Sequence, residues 1–162
     1  DAETMFEYAS DKENTRFTFP TNQSLEETKN NIAQFYLANP LGRWGIELKS
    51  TGEFIGTIDL HKMDTVLKKA TIGYIIHQKY WNQGLTTEAN RAVIELAFEK
   101  IGMNKLDAFH DKDNPASGKV MEKSGMRFSH EEPYARMDKN EPGRFVTDVH
   151  YVLTKEDYFA NK

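Results

Sequence analysis

Residues 81–87 read Trp81-Asn82-Gln83-Gly84-Leu85-Thr86-Thr87, a glycine-bearing turn between two periodic segments. Before it, Ala70 to Ile76 is apolar and β-branched, the composition of a strand. After it, Ala89, Ala92, Val93, Leu96, Ala97 and Ile101 follow a helical period that Gly102 ends. Strand, turn and helix in that order bind anions. The first amides of a helix have no partner within it, and the macrodipole places partial positive charge there. Glycine lets main-chain N–H groups approach a phosphate closely. Gln83, Gly84, Leu85, Thr86 and Thr87 are therefore candidate phosphate donors, although a turn of this kind alone also fits an ordinary strand–helix connection.

Such a turn works only if a rigid frame holds it. The chain has 162 residues, 38% of them hydrophobic, which is enough for one core and one domain over 1–162. Lys plus Arg number 21 and Asp plus Glu 25, a net charge of −4. That balance speaks against a nucleic-acid binder, which needs a basic excess to neutralise phosphates. The absence of cysteine excludes a disulfide scaffold, a zinc–thiolate site and a cysteine nucleophile. No apolar run approaches the roughly 20 residues of a bilayer span, and no apolar leader opens the chain. A cytoplasmic protein without membrane or nucleic-acid partners is expected.

Met5 and Phe6 sit in a short helix near the start, and Ser24 with Glu27 forms a capping box. Leu25, Ile32, Phe35 and Tyr36 continue that second helix to Asn39-Pro40. Trp44, Ile46 and Leu48 then alternate, Lys49 to Gly52 turn, and Phe54 to Leu60 alternate again, which reads as a β-hairpin. Further strands are expected over Lys105 to His110, Met126 to His130 and Phe145 to Leu153. A helix is expected from Asp113-Asn114 through Ser124, with Gly125 past its end. The order predicts an α+β fold: a mixed, mostly antiparallel sheet with helices on its faces.

Three ordered segments resemble the GNAT superfamily of N-acetyltransferases, in particular its Rim-like branch of ribosomal-protein acetyltransferases. The first is Gly73-Tyr74-Ile75-Ile76 with Tyr80-Trp81-Asn82-Gln83-Gly84-Leu85-Thr86-Thr87-Glu88-Ala89. The second is Asn114-Pro115-Ala116-Ser117 with Met121-Glu122-Lys123-Ser124-Gly125-Met126, and the third is Asp148-Val149-His150-Tyr151-Val152-Leu153. Gly84 matches the superfamily's Gln/Arg-x-x-Gly-x-Gly/Ala loop. Trp81 agrees with the Rim-like branch, and Thr86 replaces a Gly/Ala. The branch normally opens with a β-strand ahead of the first helix, so a longer polypeptide is expected.

The resemblance implies a twisted sheet whose central strand pair splays apart, with helices on both faces. It implies direct transfer of acetyl from acetyl-CoA to a primary amine: a protein N-terminal amine, a polyamine or another small amine. The alternative is a catalytically weak acyl-CoA-binding module, which Thr71 and Thr86 favour. Main-chain groups of Gln83 to Thr87 would hold the diphosphate. Ile75 and Ile76 would offer backbone groups to the pantetheine arm, and Asn114 would contact it. Ser117 would act as the acid for the departing thiolate. No metal is implied, and the protein would be a monomer or homodimer. Relatives often carry a Glu where this chain has Thr71, so the base must come from elsewhere. Glu132 is the expected catalytic carboxylate, with Glu131, Asp59 and His61 as further candidates.

Overall fold

The alternating stretches assemble into one six-stranded sheet of order β1-β2-β3-β4-β6-β5, in a computed structural model that describes residues 1–162. The strands are β1 (Arg43–Leu48), β2 (Glu53–Asp64), β3 (Lys69–Ile76), β4 (Lys105–Asp111), β5 (Arg127–Met137) and β6 (Phe145–Thr154). All neighbours are antiparallel except β3 and β4. The helices are α1 (Ala2–Ala9), α2 (Lys12–Thr15), α3 (Leu25–Asn31), α4 (Leu85–Glu95), α5 (Pro115–Lys123) and α6 (Lys155–Ala160). α3 and α4 each continue into a π-type turn, over Ile32–Leu37 and Leu96–Ile101.

Strand alternation sends one set of side chains to each face. Ile58, Leu60, Ala70, Ile72, Leu106, Ala108, Val149 and Tyr151 meet Val93, Ile94, Ala97 and Phe98 of α4 and its extension, with Met121 of α5, in the main core. The other face is only partly covered. There Met5, Tyr8 and Ala9 of α1 pack with Ile32, Tyr36, Phe54 and Ile75. No helix is long and apolar enough to cross a membrane.

The parallel pair is short. Only Lys69–Lys105, Ala70–Leu106 and Thr71–Asp107 are partnered, although both strands run on for several residues. The two far ends are held by different bodies. Asn14 of α2 donates from Nδ2 to the Ile76 carbonyl (3.0 Å) and accepts the Gln78 amide at Oδ1 (2.6 Å), which draws the end of β3 toward α2. β4 stays paired with β6 up to Asp111–Asp148. Arg144 pins its end, donating to both carboxylate oxygens of Asp111 (2.8 and 3.0 Å) and to Asp113 (2.6 Å) and Asp138.

Several boundaries differ from the sequence reading for local reasons. β5 continues past His130 to Met137 as an exposed outer strand. Glu131-Glu132-Pro133 shows no apolar alternation because neither face is buried, and Pro is tolerated at a sheet edge. Glu27 does return a bond, but to the Gln23 amide rather than to its own cap residue, Ser24. The glycine stops were legible: Gly102 and Gly125 sit at φ +82° and +90° at the ends of their helices.

Burial pushes the Asp111 and Asp138 carboxyls up, but hydrogen bonds from Arg144 and from local amides outweigh it and hold both below the usual carboxylate range. Their stabilising contribution is present above the unfolded carboxylate range and is lost as pH falls through the depressed folded values. Replacing Arg144 by Met leaves the Asp111 side chain, 1% exposed, unpaired. The variant should lose about 3 kcal/mol or more in urea unfolding. Its stability should also fall less between neutral and acid pH than that of the parent.

Candidate active site

The loop after β3 begins with a single tight turn, Gln78–Tyr80, and is anchored from several sides. Trp81 Nε1 donates to the Ile76 carbonyl (3.0 Å), the Gln78 side chain reaches Asp11 (3.2 Å), and the Tyr80 hydroxyl donates to Glu53 of β2. Asn82 and Gly84 both have positive φ, +59° and +77°. At Gly84 the conformation suits glycine, and a Cβ there would meet nothing within 4 Å, so the turn faces open space. The first bond of α4 runs from the Glu88 amide to the Gly84 carbonyl (3.0 Å). The amides of Asn82, Gln83, Gly84, Leu85, Thr86 and Thr87 donate to no protein acceptor. Six consecutive unbonded N–H groups at the positive end of an eleven-residue helix make this turn the candidate anion cradle.

The cradle stands at the mouth of the β3/β4 gap. The His77 amide bonds the Ile55 carbonyl (2.7 Å), which sets the phase of the β2/β3 ladder. Thr57 and Ile75, and Asp59 and Gly73, are then the mutually bonded pairs. Ile75 therefore turns its backbone groups toward β2. The expectation that Ile75 would offer them to the gap is corrected. Tyr74 and Ile76 turn theirs toward the gap, and because the Ile76 carbonyl is already taken by Asn14 and Trp81, its N–H is the group left to bond there.

On the α4/α5 face, the Tyr74 hydroxyl donates to the Ser117 carbonyl (2.8 Å) and lies 3.1 Å from Ser117 Oγ. Burial pushes the Tyr74 phenol well up, with the Ser117 hydrogen bond opposing it, so the hydroxyl stays protonated at any working pH. Asn114 precedes α5 as its cap residue, yet its side chain makes no capping bond and remains available.

A sequence model of the Acetyltransferase (GNAT) domain matches residues 1–127. The chain belongs to the GNAT acetyltransferase family. Among curated proteins it is similar to the Uncharacterized N-acetyltransferase YoaA of Bacillus subtilis (strain 168), 34% identical over 131 residues, 78% of this chain and 74% of that one. Among solved structures it matches a GNAT-family acetyltransferase from Bacillus anthracis with a TM-score of 0.84 and 25% identity, covering 96% of this chain and 90% of that one. The spermidine N-acetyltransferase of Vibrio cholerae, solved with CoA and spermine, shares the fold: TM-score 0.82, 13% identity, 98% and 92% coverage. This chain is an acetyl-CoA-dependent N-acetyltransferase.

Within this GNAT fold, Gln83 to Thr87 lie in the loop and helix start beyond β3, Ile76 turns toward the gap, and Ser117 of α5 meets Tyr74 of β3. Glu132 does not join them. It lies on β5, with β6 and β4 between it and the gap, about 10 Å out at the usual strand spacing. Its carboxylate meets His150 Nε2 at 2.9 Å. Together with Asp148 these groups lie within 4.8 Å of one another, and Arg136 already pairs with Asp148 (3.1 Å). Glu131 is likewise on β5, bonded to Lys112 (3.0 Å). Asp59 and His61 stand on β2, on the face away from α4 and α5, hydrogen-bonded to each other at 2.8 Å.

Two contributors escaped the sequence reading. Tyr74 stood within the Gly73–Ile76 segment with no role of its own, and only the fold shows that its hydroxyl crosses to α5. Asn14, 4% exposed, sits in a four-residue helix with no motif around it. Asn14→Ala should remove both bonds to the end of β3 and cost about 1–3 kcal/mol. Hydrogen exchange should then speed up at the Gln78 amide, and coenzyme binding should weaken.

Proposed function

We propose that this N-acetyltransferase moves the acetyl group from the coenzyme thioester directly to a primary amine, without a covalent enzyme intermediate. The observation that carries the reading is the run of unbonded amides from Asn82 to Thr87 at the mouth of a parted parallel strand pair. Gln83, Gly84, Leu85, Thr86 and Thr87 would hold the diphosphate, with the Thr86 hydroxyl free to add a bond. The Ile76 amide and the Tyr74 main chain would bond the pantetheine arm, Ile75 would wall the acceptor side, and Asn114 would reach the arm from α5. Acetyl-CoA supplies an activated acyl group on a sulfur leaving group.

Ser117 Oγ would protonate the departing thiolate. The Tyr74 hydroxyl beside it orients that group and keeps its own proton. Glu132, on the outer strand, would meet a distal cation of the acceptor rather than its reacting nitrogen. The acceptor class is a primary amine: a protein α-amine, a polyamine or another small amine. A net charge of −4 favours the approach of such cations.

Acetyl-CoA at one hundred times its Kd should raise unfolding free energy by about 2.7 kcal/mol. Gly84→Glu should abolish that shift by adding like charge at the cradle, with the fold intact by circular dichroism. Retained affinity would remove the diphosphate from this loop. Ser117→Ala should lower kcat more than it raises KM in a thiol-release assay over peptide α-amines, polyamines and small amines. An unchanged kcat would return Ser117 to a purely helical role.

A further inference from the structure

We propose that His61, packed over Gly73 and oriented by Asp59, takes the proton from the acceptor's ammonium nitrogen. The inference rests on the acetyl-transfer reading above and adds the group that makes the nitrogen nucleophilic.

Asp59 and His61 alternate along β2, so both side chains stand on the face opposite α4 and α5, above their partners Gly73 and Thr71 of β3. Asp59 Oδ1 lies 2.8 Å from His61 Nδ1. A carboxylate only accepts, so a proton sits on Nδ1, and in the neutral ring Nε2 presents the lone pair. Nε2 has no hydrogen-bond partner in the protein, and with the side chain 30% exposed a proton received there can leave to solvent. Arg43 stands 4.0 Å from the other Asp59 oxygen and holds the carboxylate from the β1 side.

Gly73 makes room for the pair. A Cβ at that position would come within 3.1 Å of both Asp59 Oδ1 and His61 Cε1. The pair fills the space a side chain at 73 would take, so the imidazole packs directly on the β3 backbone, and the gap opens just beyond the Thr71–Asp107 rung. The far wall is Phe109 of β4, on the same face. Its ring already carries a primary ammonium, because Lys62, at φ +49° in a β-bulge, places Nζ 5.6 Å from the centroid. Ser117 and Tyr74 approach from the opposite face, so proton removal and proton delivery are separated by the sheet.

The protons balance. An ammonium arrives with three, gives one to His61 Nε2, and attacks the thioester carbon with the freed lone pair. As the carbon–sulfur bond breaks, the second nitrogen proton passes to water, and the sulfur takes the Ser117 Oγ proton, which Oγ recovers from water. The amide keeps the third, and His61 releases its proton to water.

The test is thiol release by the intact protein with two nucleophiles: an alkylamine, protonated at neutral pH, and an acyl hydrazide, already neutral. His61→Gln should lower kcat for the alkylamine about 100-fold or more while leaving acetyl-CoA affinity and the hydrazide rate within a few-fold. Added imidazole should restore part of the alkylamine rate. Asp59→Asn should show the same bias between nucleophiles with a smaller loss. Equal losses with both nucleophiles, or no loss with either, would overturn the assignment. A parent protein that binds no acetyl-CoA would instead overturn the acetyl-transfer reading beneath it.

Discussion

β3 and β4 cease to bond after the third rung of their parallel ladder. Backbone donors and acceptors in the middle of a sheet are seldom left without partners, so an opening there has to be imposed. Asn14 and Trp81 impose it on one side by gathering the Ile76 carbonyl toward α2 and the loop. Arg144 and the full β4/β6 ladder impose it on the other. The anion cradle, the backbone groups that face the gap and the two sets of side chains flanking it owe their positions to that parting.

The opening divides the chemistry by face. On the helical side, α5 brings Ser117 to the Tyr74 hydroxyl, a protonated pair suited to a leaving group. On the other side, the polar row Thr57, Asp59 and His61 runs along β2 beside Ile75, Gly73 and Thr71. Tyr36 joins that row by its bond to Thr57 (3.2 Å). The sheet itself keeps the Ser117–Tyr74 pair and the Asp59–His61 pair on opposite faces.

Much of this was legible in the sequence, and the exceptions share a cause. The Gly84 turn, the glycine helix ends, the hairpin and the mixed sheet all rest on local rules about φ, capping and alternation, which act within a few residues. The resemblance carried by Gly73 to Ala89 and by Asn114 to Met126 pointed to the family that the domain match shows. What stayed hidden was phase and reach. Whether Ile75 or Ile76 faces the gap depends on which β2/β3 pairs exchange bonds, set by the His77–Ile55 contact. The place of Glu132 on the outermost strand depends on the length of β5, which no alternation in its sequence marks. Asn14 acts on residues 62 and 64 positions away, and no local pattern announces that.

The most direct measurement is the crystal structure of the protein with coenzyme A. The account predicts diphosphate oxygens within hydrogen-bonding distance of main-chain nitrogens between Gln83 and Thr87, with the arm lying between β3 and β4. A coenzyme bound elsewhere, with those nitrogens still lacking acceptors and the strands parted around nothing, would contradict it.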